Sequence, residues 1–333
     1  MKVLAFGDNL ITPAMLENGL TGLKKHGFDV TVRDWSHESV ESLQNDNILV
    51  EQQGANAVEV TDSALLEDID KFDVIITQFT PIGRKLIDQA KNLKYIGVLR
   101  GGIENVDREY AESKGIKVMN TAGRNARAVA EFTVGLILSE TRNIARTSAA
   151  MHKDIWLKDF PNKDNIPEVG GKTIGIIGFG HIGQLVGQFM KGMDANVIFY
   201  DPYVDSVEGF EKIDQLEKLV QRADVITIHM RATEETHHII DTHMFELMGS
   251  DTYFINSARS ALVDEAALIA ALQQHQIAGA AVDTFDDEPL PKDSPFLALD
   301  NVTLTSHLAG STADAFKNTP KLFASRFLQS LEG

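Results

Sequence analysis

Residues 175–183 read GIIGFGHIG, with Gly178, Gly180 and Gly183 in Gly-x-Gly-x-x-Gly spacing. The strand-like run KTIGII stands before them and the helix-like run QLVGQFMKGM after them. A second strand-like run, NVIFY, leads to Asp201, 18 residues past Gly183. Glycines alone also mark ordinary turns; the strand–turn–helix–strand context is what suits the phosphates of a dinucleotide. The first glycine permits the tight turn, the second lets a pyrophosphate approach the backbone, and the third lets helix and strand pack closely. The helix that starts there offers unpaired N–H groups and positive potential. In such a loop it is the backbone of His181 and Ile182 that counts, not their side chains. Asp201 is placed to accept hydrogen bonds from the adenosine ribose hydroxyls.

Three further residues could act on a small molecule. Arg259 follows the strand-like run YFINSA, Glu288 lies in the loop DDEPL after AGAAVDTF, and His307 ends NVTLTSH. Taken singly, each has an ordinary reading: a surface or capping arginine, a solvated loop carboxylate, a structural histidine. Together they change the reading, because all three lie beyond the carboxyl ends of strands. That edge is where open α/β sheets bind ligands, and it is the edge that carries the glycine loop.

The elements that must hold these residues are legible from apolar runs. KVLAF, DVTVR, DVIIT, KYIGVL and IKVMN predict buried strands in residues 1–120, with helix-like connections such as Pro81–Asn92. Strands joined by helix-length segments favour a parallel sheet covered on both faces. NARAVAEFTVGLILSETRNIART predicts one long, largely buried helix over 125–147, entered by a turn at Asn120 and Thr121. KDFPNKDNIPEVGGK (158–172) reads as a loop. A second alternation then predicts six strands at 173–177, 195–200, 224–229, 252–256, 279–283 and 301–305, the number usual for a dinucleotide-binding sheet. The last 20 residues read as mostly helical.

Composition bounds the function. The chain has 333 residues, 43% hydrophobic and 24% charged, with a formal net charge of −17. That charge repels phosphate backbones and argues against a nucleic-acid partner. There is no cysteine, hence no disulfide, thiolate metal site or cysteine nucleophile, in keeping with a reducing cytoplasm. The N-terminal apolar run, Val3–Phe6, is too short for a signal-peptide core, and no run approaches the roughly 18 apolar residues of a membrane helix. His237 and His238 lack a ligand pattern, so no metal is expected.

The order of motifs then resembles one family. LRGGIENVD (99–107), GFGHIG (178–183), NSARSALVDE (256–265), AAVDTFDDEPL (280–290) and HLAGST (307–312), with the helix AVAEFTVGLIL, match the D-isomer-specific 2-hydroxyacid dehydrogenases over nearly the whole chain, weakly in the first 70 residues. The resemblance implies two doubly wound α/β domains. A Rossmann NAD-binding domain (121–309) would be inserted into a flavodoxin-like substrate domain (1–120 and 310–333), with the active site in the cleft. It implies His307 as acid/base, Glu288 as its carboxylate partner, and Arg259 as holder of the substrate carboxylate and polariser of the C2 oxygen. A guanidinium suits that task because it is forked and always charged. It implies that the backbone N–H groups of Gly101, Gly102 and Ile103 hold the substrate carboxylate and that Asp283 contacts the nicotinamide amide. His229, Ala258 and Gly310 join the glycine loop, Asp201 and His307 among the NAD contacts.

The chain departs from the family pattern at three places. Ser260 stands where glycine is usual. HMRATEET (229–236) puts Arg231 at the usual proline. Arg100 adds a cation before the glycine pair, either solvent-facing or paired with acids, or else meeting an extra anionic group on the substrate. The expected function is NAD-dependent hydride transfer on a 2-hydroxy or 2-keto acid. The alternative is a non-catalytic NAD(H)-sensing regulator on the same scaffold. A formate dehydrogenase is disfavoured, since that reaction moves no hydroxyl proton and such members usually carry glutamine in place of Glu288. A family-like homodimer is expected, with the 125–147 helix as contact.

Overall fold

The five apolar runs of residues 1–120 all become strands: β1 (Lys2–Gly7), β2 (Asp29–Asp34), β3 (Val74–Thr77), β4 (Tyr95–Val98) and β5 (Lys117–Asn120). In the computed structural model, which describes residues 1–163 and 166–332, they form one sheet in the order β2-β1-β3-β4-β5. Every pairing in it is parallel. Alternation along β1 explains the two covered faces. Leu4 and Phe6 point into one core with Ile75, Ile96 and Val98. Val3 and Ala5 point into the other with Leu16, Leu20, Phe323 and Phe327. The connections carry α1 (Pro13–Gly19), α2 (Thr21–Lys25), α3 (Val40–Gln53), α4 (Arg84–Gln89) and α5 (Arg108–Ser113). Of the expected Pro81–Asn92 helix only α4 forms, because the chain at Ile82 is extended and bridges to Val106.

The long helix expected over 125–147 is broken. α6 runs Ala126–Thr141 and α7 runs Ile144–Met151. Between them Asn143 takes a left-handed backbone, φ 58°, which asparagine tolerates better than most residues. Its side chain pays no penalty for the break: it accepts from Arg146 Nη1 at 3.1 Å and donates to Asn162 Oδ1 at 2.8 Å. α6 is largely buried, as expected, and includes the fully covered Glu140. Glu140 accepts from Arg146 Nη2 at 2.6 Å and from Thr303 Oγ1 at 2.6 Å.

The second alternation supplies β6 (Thr173–Ile177), α8 (His181–Lys191), β7 (Asn196–Tyr200), β8 (Glu211–Lys212), α9 (Leu216–Arg222), β9 (Val225–Ile228), α10 (Thr242–Leu247), β10 (Tyr253–Asn256), α11 (Glu265–Gln273), β11 (Gly279–Val282) and β12 (Val302–Leu304). The sheet has seven strands, order β12-β11-β10-β9-β6-β7-β8, again all parallel. The unexpected seventh, β8, is two polar residues with no apolar signal to read. α12 (Ala313–Glu332) closes the chain and holds Pro320 in its interior. The chain divides into two compact units, Met1–Arg124 with Thr312–Gly333, and Asn125–Ser311. Each sheet lies in one unit. Among the described residues no helix is long and apolar enough to cross a membrane.

Candidate active site

The glycine loop joins β6 to α8. Gly178 has φ 89°, and a Cβ there would lie 2.7 Å from the carbonyl carbon of His229. A Cβ on Gly183 would collide with the carbonyl oxygen of Gly178. Both glycines are therefore demanded by the fold. Gly180 is not: its φ is −75° and a Cβ would meet nothing within 4 Å. The open space in front of Gly180 is what an approaching diphosphate needs. α8 begins at His181 with no side-chain cap, so its first N–H groups point outward unpaired. His181 is exposed, while Ile182 packs on the core below. These residues fit a dinucleotide and are the ones that would hold it.

Asp201 stands at the end of β7 but is only 8% exposed. Its Oδ2 accepts from Phe179 N, inside the glycine loop, at 2.7 Å, and its Oδ1 accepts from Tyr203 N at 2.8 Å. The carboxylate thus fixes the loop itself, beyond the ribose contact read from the sequence. His229, past β9, lies with its ring Nε2 3.0 Å from Thr227 Oγ1. Its Nδ1 is buried without a partner among the described residues, and burial pushes its pKa down to about 3, so the ring stays neutral. Arg231, two residues on, is exposed, and its carbonyl accepts from Thr236 Oγ1 at 2.7 Å.

At the same edge of the sheet the chain brings Glu288 and His307 together: His307 Nδ1 lies 2.8 Å from Glu288 Oε2. The other oxygen, Oε1, accepts from Phe285 N at 3.0 Å. Burial works against this carboxylate. The His307 and Phe285 hydrogen bonds and the charges of His307 and Arg259 outweigh it and hold its pKa below the usual range. Arg259 is exposed, and one guanidinium N–H donates to Ala258 O at 2.6 Å. The turn beneath it is tied by Asn256, which accepts from Ala258 N and donates to Arg259 O, each at 3.0 Å. Ser260 opens a short 3-10 turn with no left-handed backbone, so the usual glycine is not required there.

His307 itself has φ 54°, a conformation that costs a non-glycine residue roughly 1–2 kcal/mol. Asp283 holds it there. That side chain is fully buried. Its Oδ1 accepts from Thr305 Oγ1 at 2.5 Å and Leu308 N at 3.0 Å, and its Oδ2 accepts from Ala309 N at 2.9 Å. The Asp283 carboxylate thus ties the turn around His307, in addition to the nicotinamide contact that the resemblance implies for it. Sequence reasoning missed this anchor and Thr305 with it. The one available signal was an aspartate ending a buried strand beside a Thr-x-His end. Gly310 ends the turn, where a Cβ would collide with Asn125.

In the other unit, Gly101, Gly102 and Ile103 follow β4. Their N–H groups donate to no acceptor among the described residues, while Asn120 Nδ2 donates to Gly101 O at 2.5 Å. Arg100 is not a free cation. It pairs with Glu51 at 2.6 Å and Glu104 at 2.9 Å, and donates to Asn47 Oδ1 at 2.6 Å. This is the pairing with acids that was one of its two readings.

Residues 134–309 match the D-isomer specific 2-hydroxyacid dehydrogenase, NAD binding domain family. The D-3-phosphoglycerate dehydrogenase of Methanocaldococcus jannaschii is 39% identical over 282 residues, 83% of this chain but 53% of that one. This chain therefore spans about half the length of that relative. The glyoxylate reductase of Thermofilum pendens is 36% identical over 275 residues, 81% of each chain. The D-lactate dehydrogenase of Lactobacillus jensenii, solved with NAD+, superposes with a TM-score of 0.70 at 27% identity, covering 96% of this chain and 93% of that one. Arrived at from the glycine loop, the Glu288–His307 pair and these matches alike, the conclusion is that this chain belongs to the D-isomer specific 2-hydroxyacid dehydrogenase family.

Proposed function

We propose that the protein is an NAD-dependent oxidoreductase that moves a hydride between nicotinamide and C2 of a D-2-hydroxy acid or its 2-keto acid. The observation that carries this reading is the 2.8 Å contact of His307 Nδ1 with Glu288. It leaves Nε2 as the nitrogen free to exchange a proton with the C2 oxygen, with Glu288 orienting the ring. Bound nicotinamide supplies or accepts the hydride. The chain's own groups do the rest: Arg259 holds the substrate carboxylate and polarises the C2 oxygen, and the N–H groups of Gly101, Gly102 and Ile103 hold the carboxylate. Residues 121–309 serve the cofactor, and 1–120 with 310–333 serve the substrate. The intact proton relay gives no reason to prefer the regulatory alternative.

A cytoplasmic homodimer completes the proposal. Ile144, Met151, Ile155 and Trp156, at 55%, 49%, 51% and 75% exposure, put an apolar stretch just past α6 on the surface, and such stretches mark contact sites. The function is tested by following NADH oxidation with a panel of 2-keto acids. Reduction by the unaltered protein, reduced at least a hundredfold in His307→Ala at unchanged NADH affinity, is the expected result. No reduction of any keto acid would refute it.

A further inference from the structure

The loop that delivers Glu288 has little of its own to hold it in shape. Among the described residues, no backbone N–H or carbonyl of residues 284–290 takes part in a backbone–backbone hydrogen bond. Apolar side chains fix its two ends. Phe285 is buried and meets Phe296 edge-on, with 5.8 Å between ring centres, and Leu290 packs on the same core. Between those ends Asp286, Asp287 and Glu288 are exposed. A loop without a hydrogen-bonded ladder takes its shape from side chains that bond its backbone.

Two carboxylates do so here. Glu288 Oε1 accepts from Phe285 N at 3.0 Å, a bond internal to the loop. Glu265 Oε2 accepts from the next N–H, that of Asp286, at 3.1 Å. Among the described residues Glu265 is the one side chain from outside the loop that bonds its backbone. Glu265 is also the first residue of α11, and the chain reaches it from Arg259 through the 3-10 turn Ser260–Leu262. It therefore joins the turn after β10, which carries Arg259, to the loop after β11, which carries Glu288, and β10 and β11 are neighbours in the sheet.

The helix does not need Glu265 as a cap, because Asp264 Oδ1 already accepts from Ala267 N at 3.0 Å. An acid in the first turn does gain from the helix dipole. Against that gain, burial and the charges of Asp286 and Asp287 raise the Glu265 pKa and outweigh the hydrogen bond from Asp286 N. A half-buried acid set against two others is a costly way to favour a helix, and its hydrogen bond to the loop is what the placement secures. We propose that Glu265 is a positioning residue: it holds the Glu288 loop in register with the Arg259 turn and so keeps Glu288 against His307 Nδ1. This rests on the proton-transfer reading of His307 given above.

The test uses the full chain with Glu265→Gln, which keeps an acceptor oxygen but no charge, and Glu265→Ala, which keeps neither. Two quantities are read. One is the ring Nδ1 signal of His307 in 15N NMR without substrate, identified by its loss in His307→Asn. The other is kcat and KM for the 2-keto acid that the unaltered protein reduces best. Glu265→Ala is expected to move the Nδ1 signal in the same direction as Glu288→Gln, and to lower kcat by about tenfold or more with KM little changed, since small misplacements at a reacting group are costly. Glu265→Gln should stay close to the unaltered protein in both. Adding Glu265→Ala to Glu288→Gln should lower kcat no further, because residues that act through one contact are not additive. An unmoved Nδ1 signal in Glu265→Ala, or additive losses in the double variant, would overturn the proposal. So would equal losses in Glu265→Gln and Glu265→Ala, which would assign the effect to charge at the helix end. If the unaltered protein reduces no 2-keto acid, the enzymatic reading fails, while the Nδ1 signal still decides whether Glu265 holds the pair together.

Discussion

Replacing Asp283 with asparagine should disable the proton carrier without touching it. The Asp283 carboxylate accepts three hydrogen bonds from Thr305, Leu308 and Ala309 and thereby holds His307 at φ 54°. An amide has one acceptor oxygen, so at least one of the two backbone N–H groups would face another donor. Hydrogen bonds to a charged group contribute roughly 1.5–3 kcal/mol each, and a buried donor left unpaired costs about 1–3 kcal/mol. A net loss of about 2–4 kcal/mol is expected, on the same scale as the roughly 1–2 kcal/mol that the left-handed histidine needs compensated. The turn should then relax and carry Nδ1 away from Glu288. We expect kcat to fall at least tenfold, Tm to drop by several degrees, and the Kd for NADH, measured by fluorescence without substrate, to stay within about twofold. A large rise in that Kd with kcat intact at saturating NADH would refute the anchor and leave the cofactor contact as the role of Asp283.

Three other outcomes are expected. Gly180→Ala should fold with unchanged Tm but raise the Kd for NADH at least tenfold, whereas Gly183→Ala should be destabilised outright, because only the latter meets the chain's own backbone; equal Tm losses in both would count against the separation. His307→Asn keeps a residue that tolerates the left-handed turn, so turnover should vanish while Tm holds within about two degrees; a large Tm loss would show that the ring, not the backbone, supports the turn. Burial raises the pKa of Glu140 to about 7 against the Arg146 charge and the Thr303 hydrogen bond, so stability falls as pH rises from the unfolded value near 4.5 through 7. Arg146→Met removes a lowering influence and extends that fall upward, so its loss, about 3–5 kcal/mol once the acid must ionise, should be larger at pH 8.5 than at pH 6 in urea melts; an equal loss at both would mean that the acid stays protonated throughout.

The strands and the glycine loop were legible because their signals are local. Val3–Phe6 and Ile174–Ile177 are runs buried on both faces, and Gly178 and Gly183 answer to backbone geometry within a few residues. The helix break at Asn143 was not legible. Helix-forming composition runs through it, and the partners that stabilise it, Asn162 and Arg146, declare themselves only in three dimensions. The partners of Arg100 were only partly legible: Glu104 lies four residues on, but Glu51 lies 49 residues away in sequence. Asp283 and Asp201 were both read as ligand contacts, and the backbone N–H groups that each also holds were not legible, because a carboxylate at a strand end carries no local signal of the turn it ties.

The Asp201 carboxylate links Phe179 in the glycine loop to Tyr203 beyond β7, and this bears on how quickly a dinucleotide is captured. A loop clamped in its receiving shape has little conformational freedom left to surrender on binding, so less of the contact energy goes into ordering it. Association should then proceed as a single concentration-dependent phase in stopped-flow mixing. Loss of the clamp in Asp201→Ala should bring in a slower, concentration-independent step, with the loop searching for its shape after the encounter.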